Sequence, residues 1–154
     1  MYNKKLRVYL DNCCYNRPFD DQGQLSVQLE TQAKLWIQDL IKDGKVYLVV
    51  SFFSLFENNA NKDADKAEHI AAFLENAAIY IDETHIAEVR ELREEIMASG
   101  IKHKDAIHLA AAILAGADYF ITTDNRVLKY RSDRIKPINP VEFINIWEGR
   151  CNDE

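Results

Sequence analysis

Y-F-I-T-T-D, residues 119–124, is a run of strand-forming side chains that stops on a carboxylate. Just upstream, K-D-A-I-H-L-A-A-A (104–112) repeats apolar residues at helical spacing, and Gly116 stands where a helix would stop. A helix that runs into an apolar strand is half of a β-α-β crossover. The other half is at the start of the chain, where R-V-Y-L-D (7–11) is again a short strand with an acid at its carboxyl end. Between them, V-Y-L-V-V-S (46–51) is continuously apolar, as a strand covered on both faces should be. F-F-S-L-F-E (52–57) follows as a short helix carrying Glu57.

The remaining segments fit the same alternation. A turn-rich stretch, N-R-P-F-D-D-Q-G, follows the first strand, and Leu29, Ala33, Trp36, Ile37, Leu40 and Ile41 then mark a helix closed by Gly44. N-A-N-K-D-A-D-K leads into a helix over 67–77, with Ile70, Phe73 and Leu74 as its apolar stripe. A short strand over 78–81 precedes Thr84, which has the chemistry of an N-cap for a helix bearing Ile86, Val89, Leu92, Ile96 and Met97. Ser99-Gly100 breaks that helix before the one over 102–115. A last apolar segment, V-E-F-I-N-I-W, follows Pro137 and Pro140. Strands alternating with helices predict an α/β fold: a three-layer α/β/α sandwich with a mainly parallel central sheet of about four to five strands. The whole of 1–154 reads as a single domain, since the chain has no repeat, linker or low-complexity tract.

Composition narrows the function classes. No apolar run approaches the ~20 residues of a membrane span, and the N-terminal M-Y-N-K-K-L-R-V lacks the apolar core of a secretion signal, so a cytoplasmic location is expected. Cys13, Cys14 and Cys151 fit no zinc spacing and leave one thiol unpaired in any disulfide scheme, which predicts reduced cysteines. A net charge of −6 and a pI near 5.3 argue against broad, backbone-driven nucleic-acid binding. They leave room for a nuclease whose metal supplies the positive charge.

Asp11, Glu57, Asp105 and Asp124 are the candidate site. Each has a structural explanation when taken alone. Asp11 and Asp124 suit strand exits, Glu57 stands three residues after Ser54 in capping-box spacing, and Asp105 favours a helix dipole. Taken together, they mark strand ends and a helix start along one edge of a parallel sheet, where open α/β sheets bind their ligands. Clustered carboxylates resist joint ionisation unless a cation joins them. Mg²⁺ or Mn²⁺, which prefer oxygen donors, are the natural partners.

These stretches, V-Y-L-D, S-F-F-S-L-F-E, K-D-A-I-H-L-A-A-A and Y-F-I-T-T-D-N-R-V-L, resemble those of PIN-domain nucleases, including the VapC-type toxins of toxin–antitoxin pairs, over nearly the whole chain. The resemblance implies that Asp11, Glu57, Asp105 and Asp124 ligate Mg²⁺ or Mn²⁺ and carry catalysis. It further implies that Thr122 lines the pocket, and that the activity is metal-dependent endoribonuclease cleavage of single-stranded RNA. By the same analogy an antitoxin protein is an expected partner. The chain departs from the family in having Asn12 where many members have Ser or Thr, and Arg126 where many carry a further acid.

Outside the acids, Arg17 is a candidate phosphate clamp, and Arg126 begins a basic stretch to Lys136 that would track RNA. Lys102, His103 and Lys104 precede Asp105 at a helix start, another place for phosphate. His108 is read as a packed, hydrogen-bonded helix residue rather than a ligand. Apolar positions in V-E-F-I-N-I-W are the candidate surface for a homodimer. The competing reading is a PIN-like RNA- or protein-binding module with little activity.

Overall fold

The computed structural model describes residues 4–152. Its core is a five-stranded, wholly parallel sheet in the order β3-β2-β1-β4-β5. The strands are β1 (Arg7–Leu10), β2 (Tyr47–Ser51), β3 (Ile79–Ile81), β4 (Tyr119–Ile121) and β5 (Lys136–Ile138). Register is set by pairs such as Val8 with Leu48, Tyr9 with Phe120, and Val49 with Ile79. The ends of the expected 1–154 domain, 1–3 and 153–154, lie outside the described residues.

Strand alternation divides the core into two. Val8, Leu10, Leu48, Val50 and Ile121 face a layer that holds α2 (Leu25–Lys42), α4 (Ala64–Leu74) and α8 (Pro140–Asn152). Tyr9, Val49 and Phe120 face the opposite layer, α5 (Ile86–Ala98) and α6 (His103–Leu114). Because side chains alternate with period two, each strand feeds both layers and reads as a continuous apolar run. The alanines at 106 and 110–112 are fully buried and let α6 lie close against the sheet. The expected three-layer architecture is the one found.

Gly44 and Gly116 end α2 and α6 with positive φ values of 72° and 71°. In each case a Schellman pair forms, Lys45 N–H to Leu40 O at 2.9 Å and Ala117 N–H to Ala112 O at 3.0 Å.

Several local expectations need correction. The stretch after β1 is not all loop: α1 (Asn12–Asn16) and a 3₁₀ turn (Arg17–Phe19) occupy it, because the Asp11 carboxylate accepts from Asn12 N–H and starts a helix. Helix α4 begins at Ala64 rather than 67, since Asp63 caps it through Lys66 N–H. Thr84 is not a cap but is itself capped, its N–H donating to Asp82 at 3.0 Å. Strand β5 was hidden by Pro137, which is tolerated because β5 is an edge strand. Leu29 and Trp36 lie on the exposed flank of α2, whose buried stripe is turned toward Lys34. V-E-F-I-N-I-W is not a free apolar face: Phe143 and Ile144 are core, with Val141, Ile146 and Trp147 packed against it.

Candidate active site

The topology decides where the acids go. From β1 the chain moves to β2 on one side of the sheet and returns to β4 on the other, so the strand order reverses at β1. The crevice beyond the carboxyl ends of β1 and β4 is the binding position of an open α/β sheet. Asp11 stands there immediately after β1. Thr122, Thr123 and Asp124 follow β4, with Asp124 capping the short helix α7 (Asn125–Leu128). Glu57 comes from α3 (Phe52–Asn59), which leaves β2, and Asp105 from the first turn of α6.

Asp11 is only 7% exposed. Its Oδ2 accepts from the Thr122 hydroxyl at 2.8 Å and its Oδ1 from Asn12 N–H at 2.8 Å. Burial, reinforced by the Cys13 sulfur, nevertheless pushes its carboxyl up to about 7, against the opposing pull of His108 and these hydrogen bonds. Asp105 is also raised, by burial first and then by repulsion from Asp11, Asp124 and Glu57, with His108 partly offsetting this. All four predicted acids thus share one electrostatic neighbourhood. Among the described residues, no three His, Cys, Asp or Glu side chains are drawn together tightly enough to enclose an ion.

Glu57 is not in a capping box with Ser54. Helix α3 starts at Phe52, and Glu57 Oε1 lies 2.7 Å from His108 Nε2. The other face of the imidazole, Nδ1, meets the Tyr9 hydroxyl at 2.6 Å, and Tyr9 in turn reaches Ser51 and Ser54 Oγ at 2.7 and 3.0 Å. Burial works to discharge His108, but Tyr9 and Glu57 outweigh it and push the imidazole up to about 10. Burial also disfavours the Glu57 anion, yet the His108 hydrogen bond and charge bring its carboxyl below the usual range. His108 is therefore the packed, bonded residue expected of it, and it also positions Glu57. The sequence signal for this chain of contacts was weak: Tyr9 looks like one more strand residue, and its partners are 42 to 99 positions away.

Cys14 is fully buried and packs as a small hydrophobe. Cys13 instead faces the site, its sulfur 3.5 Å from Asp11 Oδ2 and from Thr122 Oγ1, and accepting from Thr123 N–H at 3.4 Å. Hydrogen bonding to Cys14, then to Thr122 and Thr123, outweighs burial and pulls its thiol down to about 5. Asp11 and Cys13 compete for one proton in this corner.

The candidate substrate groups are placed unequally. Arg17 donates to Thr123 Oγ1 at 2.7 Å and bridges to Asp20 at 3.1 Å and Glu30 at 3.4 Å, so it braces the loop after β4 beside Asp124. Arg126 donates its backbone N–H to Asp124 at 2.8 Å and exposes its side chain. A cavity of about 660 Å³ adjoins Glu57, with Phe52, Phe53, Phe56, Asn12 and Lys104 in its wall. None of the three phenylalanines was singled out from the sequence as part of the site.

VapBC2 from Rickettsia felis bound to a DNA fragment from their promoter superimposes with a TM-score of 0.53 at 17% identity, over 87% of this chain and 98% of that chain. The fold is PIN-like. FitAcB from Neisseria gonorrhoeae aligns equally, with a TM-score of 0.53 at 19% identity, over 86% of this chain and 97% of that one. At such identities the shared property of these PIN-like chains is the fold. No protein-family model and no curated protein sequence matches the chain. Among the described residues, no helix is long and apolar enough to cross a membrane.

Proposed function

We propose that this PIN-like chain is a metal-dependent endoribonuclease that cleaves single-stranded RNA. One observation carries the reading: Asp105, half-buried at the topological switch point of a parallel sheet, is raised by burial first and then by the charges of Asp11, Asp124 and Glu57. Such a cluster of carboxylates holds excess negative charge that a cation would relieve. The donors are all oxygen, the chemistry that Mg²⁺ and Mn²⁺ accept. Asp11, Asp105 and Asp124 would hold the ion directly, with Glu57 joining through water or orienting the nucleophile. Bound there, a divalent ion would supply an acidified water and neutralise phosphate charge.

The protein's own groups do the rest. Thr122 fixes the Asp11 carboxylate while its hydroxyl also accepts from Asp124 N–H at 3.1 Å, tying the ends of β1 and β4 together. His108, held by Tyr9, keeps Glu57 ionised and aimed. Arg17, steadied by Glu30, and the exposed Arg126 stand beside Asp124, where a phosphate would be met. A cytoplasmic toxin restrained by an antitoxin is the setting suggested by analogy, since the similar structures are toxin–antitoxin assemblies.

The test is cleavage of a mixed RNA pool with Mg²⁺ or Mn²⁺, comparing the wild type with Asp11→Asn and Asp105→Asn. Metal-dependent cleavage lost in both variants supports the reading. Folded wild-type protein that cleaves with neither metal would transfer it to a binding module.

A further inference from the structure

A different part of the molecule holds a charge that the acidic crevice does not use. Lys34, Gln38 and Lys42 recur every four residues along α2, so they form one stripe down the helix. Lys34 begins that stripe on the buried side, only 4% exposed. Lysine is almost never so buried without an acid beside it. Here, among the described residues, Lys34 makes no hydrogen bond or ion pair. Its Nζ lies 5.4 Å from the ring centre of Phe73 and 5.9 Å from that of Tyr15. The charges it feels come from the Cys14 thiol and from Lys42, and no carboxylate is among them. The two aromatic faces stabilise the ammonium where it passes over them. Its stem is what is buried; the Nζ tip is not sealed from solvent, so an anion can reach it from the cavity beside it.

Space for that anion is present. Lys34 lines a cavity of about 440 Å³ between α2 and α4, walled by Tyr15, Pro18, Phe73 and Ile70, with Gln38 and Lys42 on its α2 side. That volume falls within the range of small-molecule sites, which pair apolar walls with a few placed polar groups. Tyr15 and Phe73 are themselves core residues, so the ammonium sits on a rigid floor rather than on a mobile surface arm.

We propose that this cavity binds a small organic oxyanion, a phosphate ester or a carboxylate. Its negative group pairs with Lys34, its apolar body lies against Pro18, Ile70 and Phe73, and Lys42 adds charge beside it. The site is built from α1, α2 and α4 and owes nothing to the nuclease reading, so either can fail without the other.

The experiment uses the full chain in chelator, which silences any metal response of the acidic crevice. Thermal unfolding and titration calorimetry are run with inorganic phosphate and, separately, with benzoate, against sodium chloride at matched ionic strength. The expected result is a saturable rise in melting temperature with at least one probe, absent with chloride. Binding should weaken at least tenfold in Lys34→Met, which keeps the side-chain volume and removes the charge. Lys42→Gln, an exposed change that leaves the fold alone, should weaken it severalfold and serves if Lys34→Met does not fold. A response to phosphate assigns a phosphate ester, and one to benzoate alone a carboxylate. No saturable response to either probe, or an undiminished response in the lysine variants, overturns the proposal.

Discussion

Replacing Asp11 with asparagine should make the metal-free protein more stable, although the side chain is buried, hydrogen-bonded and proposed to be essential. Its carboxyl is raised from 3.8 to about 7, so at neutral pH and above the ionised form carries a cost of about 4 kcal/mol relative to the unfolded chain. At 7% exposure little of this is screened away. The sign follows from linkage: between 3.8 and about 7 the native state holds a proton that the unfolded state has lost, so stability falls as pH rises through that window. Asparagine removes the charge, keeps an acceptor for Asn12 N–H and turns its amide toward Thr122, an exchange that returns about 1–2 kcal/mol of the gain. The net expectation is about 2 kcal/mol in favour of Asp11→Asn at pH 7.5. At pH 5 the wild-type cost has fallen to about 2 kcal/mol, and the two proteins should be nearly equal. Urea unfolding of both proteins in chelator, at half-unit intervals from pH 5 to 8, measures this. A variant less stable than wild type at pH 7.5, or a difference that does not change with pH, would refute the account of Asp11. The same titration with Mn²⁺ should reverse the order, because only the wild type gains from the ion.

Three further outcomes are expected. Mn²⁺ should raise the melting temperature of the wild type and not that of Asp105→Asn, read by differential scanning fluorimetry with and without chelator. Tyr9→Phe should cost about 1–3 kcal/mol in denaturant unfolding, since one hydroxyl serves Ser51, Ser54 and His108 and its loss strands buried polar groups. Glu57→Gln should cost a similar ~1–3 kcal/mol near pH 7. The ion pair's contribution is lost in acid as pH falls through the lowered Glu57 value, and in base as it rises toward the His108 value of about 10, so the variant's deficit should shrink at both ends.

The layers and the edge of the sheet that carries the acids were legible in the sequence for a physical reason. A doubly covered strand has to be apolar throughout, and its carboxyl end is where the chain turns, so L-D and T-T-D announce both a strand and a site. What stayed hidden was anything set by long-range contact. Pro137 masked β5 because only its edge position makes a proline acceptable. Ser54 and Glu57 matched a capping box by spacing, yet each is claimed by a partner from another element, Tyr9 and His108. In α2 the apolar count favoured Leu29 and Trp36 for the core, but packing turned the helix so that Lys34 went in instead. Cys13 could not be distinguished from Cys14 by sequence, since only the direction of α1 decides which sulfur meets Asp11.

The strand order also sets when, during synthesis, the acidic crevice can exist. β1 is made first and sits at the centre, but its neighbour β4 begins only at Tyr119. The backbone at Asp11 is pinned by its N–H to Ile121 O at 2.9 Å, and Arg7 N–H by the Asp118 carboxylate at 2.9 Å, each across more than a hundred residues. At roughly 5–20 residues per second, translation needs on the order of ten seconds to deliver Asp124 after Asp11. Throughout that interval a growing chain holds separate carboxylates and no shared pocket. If the chain is the nuclease proposed above, its crevice cannot act before β4 has been made and has paired with β1.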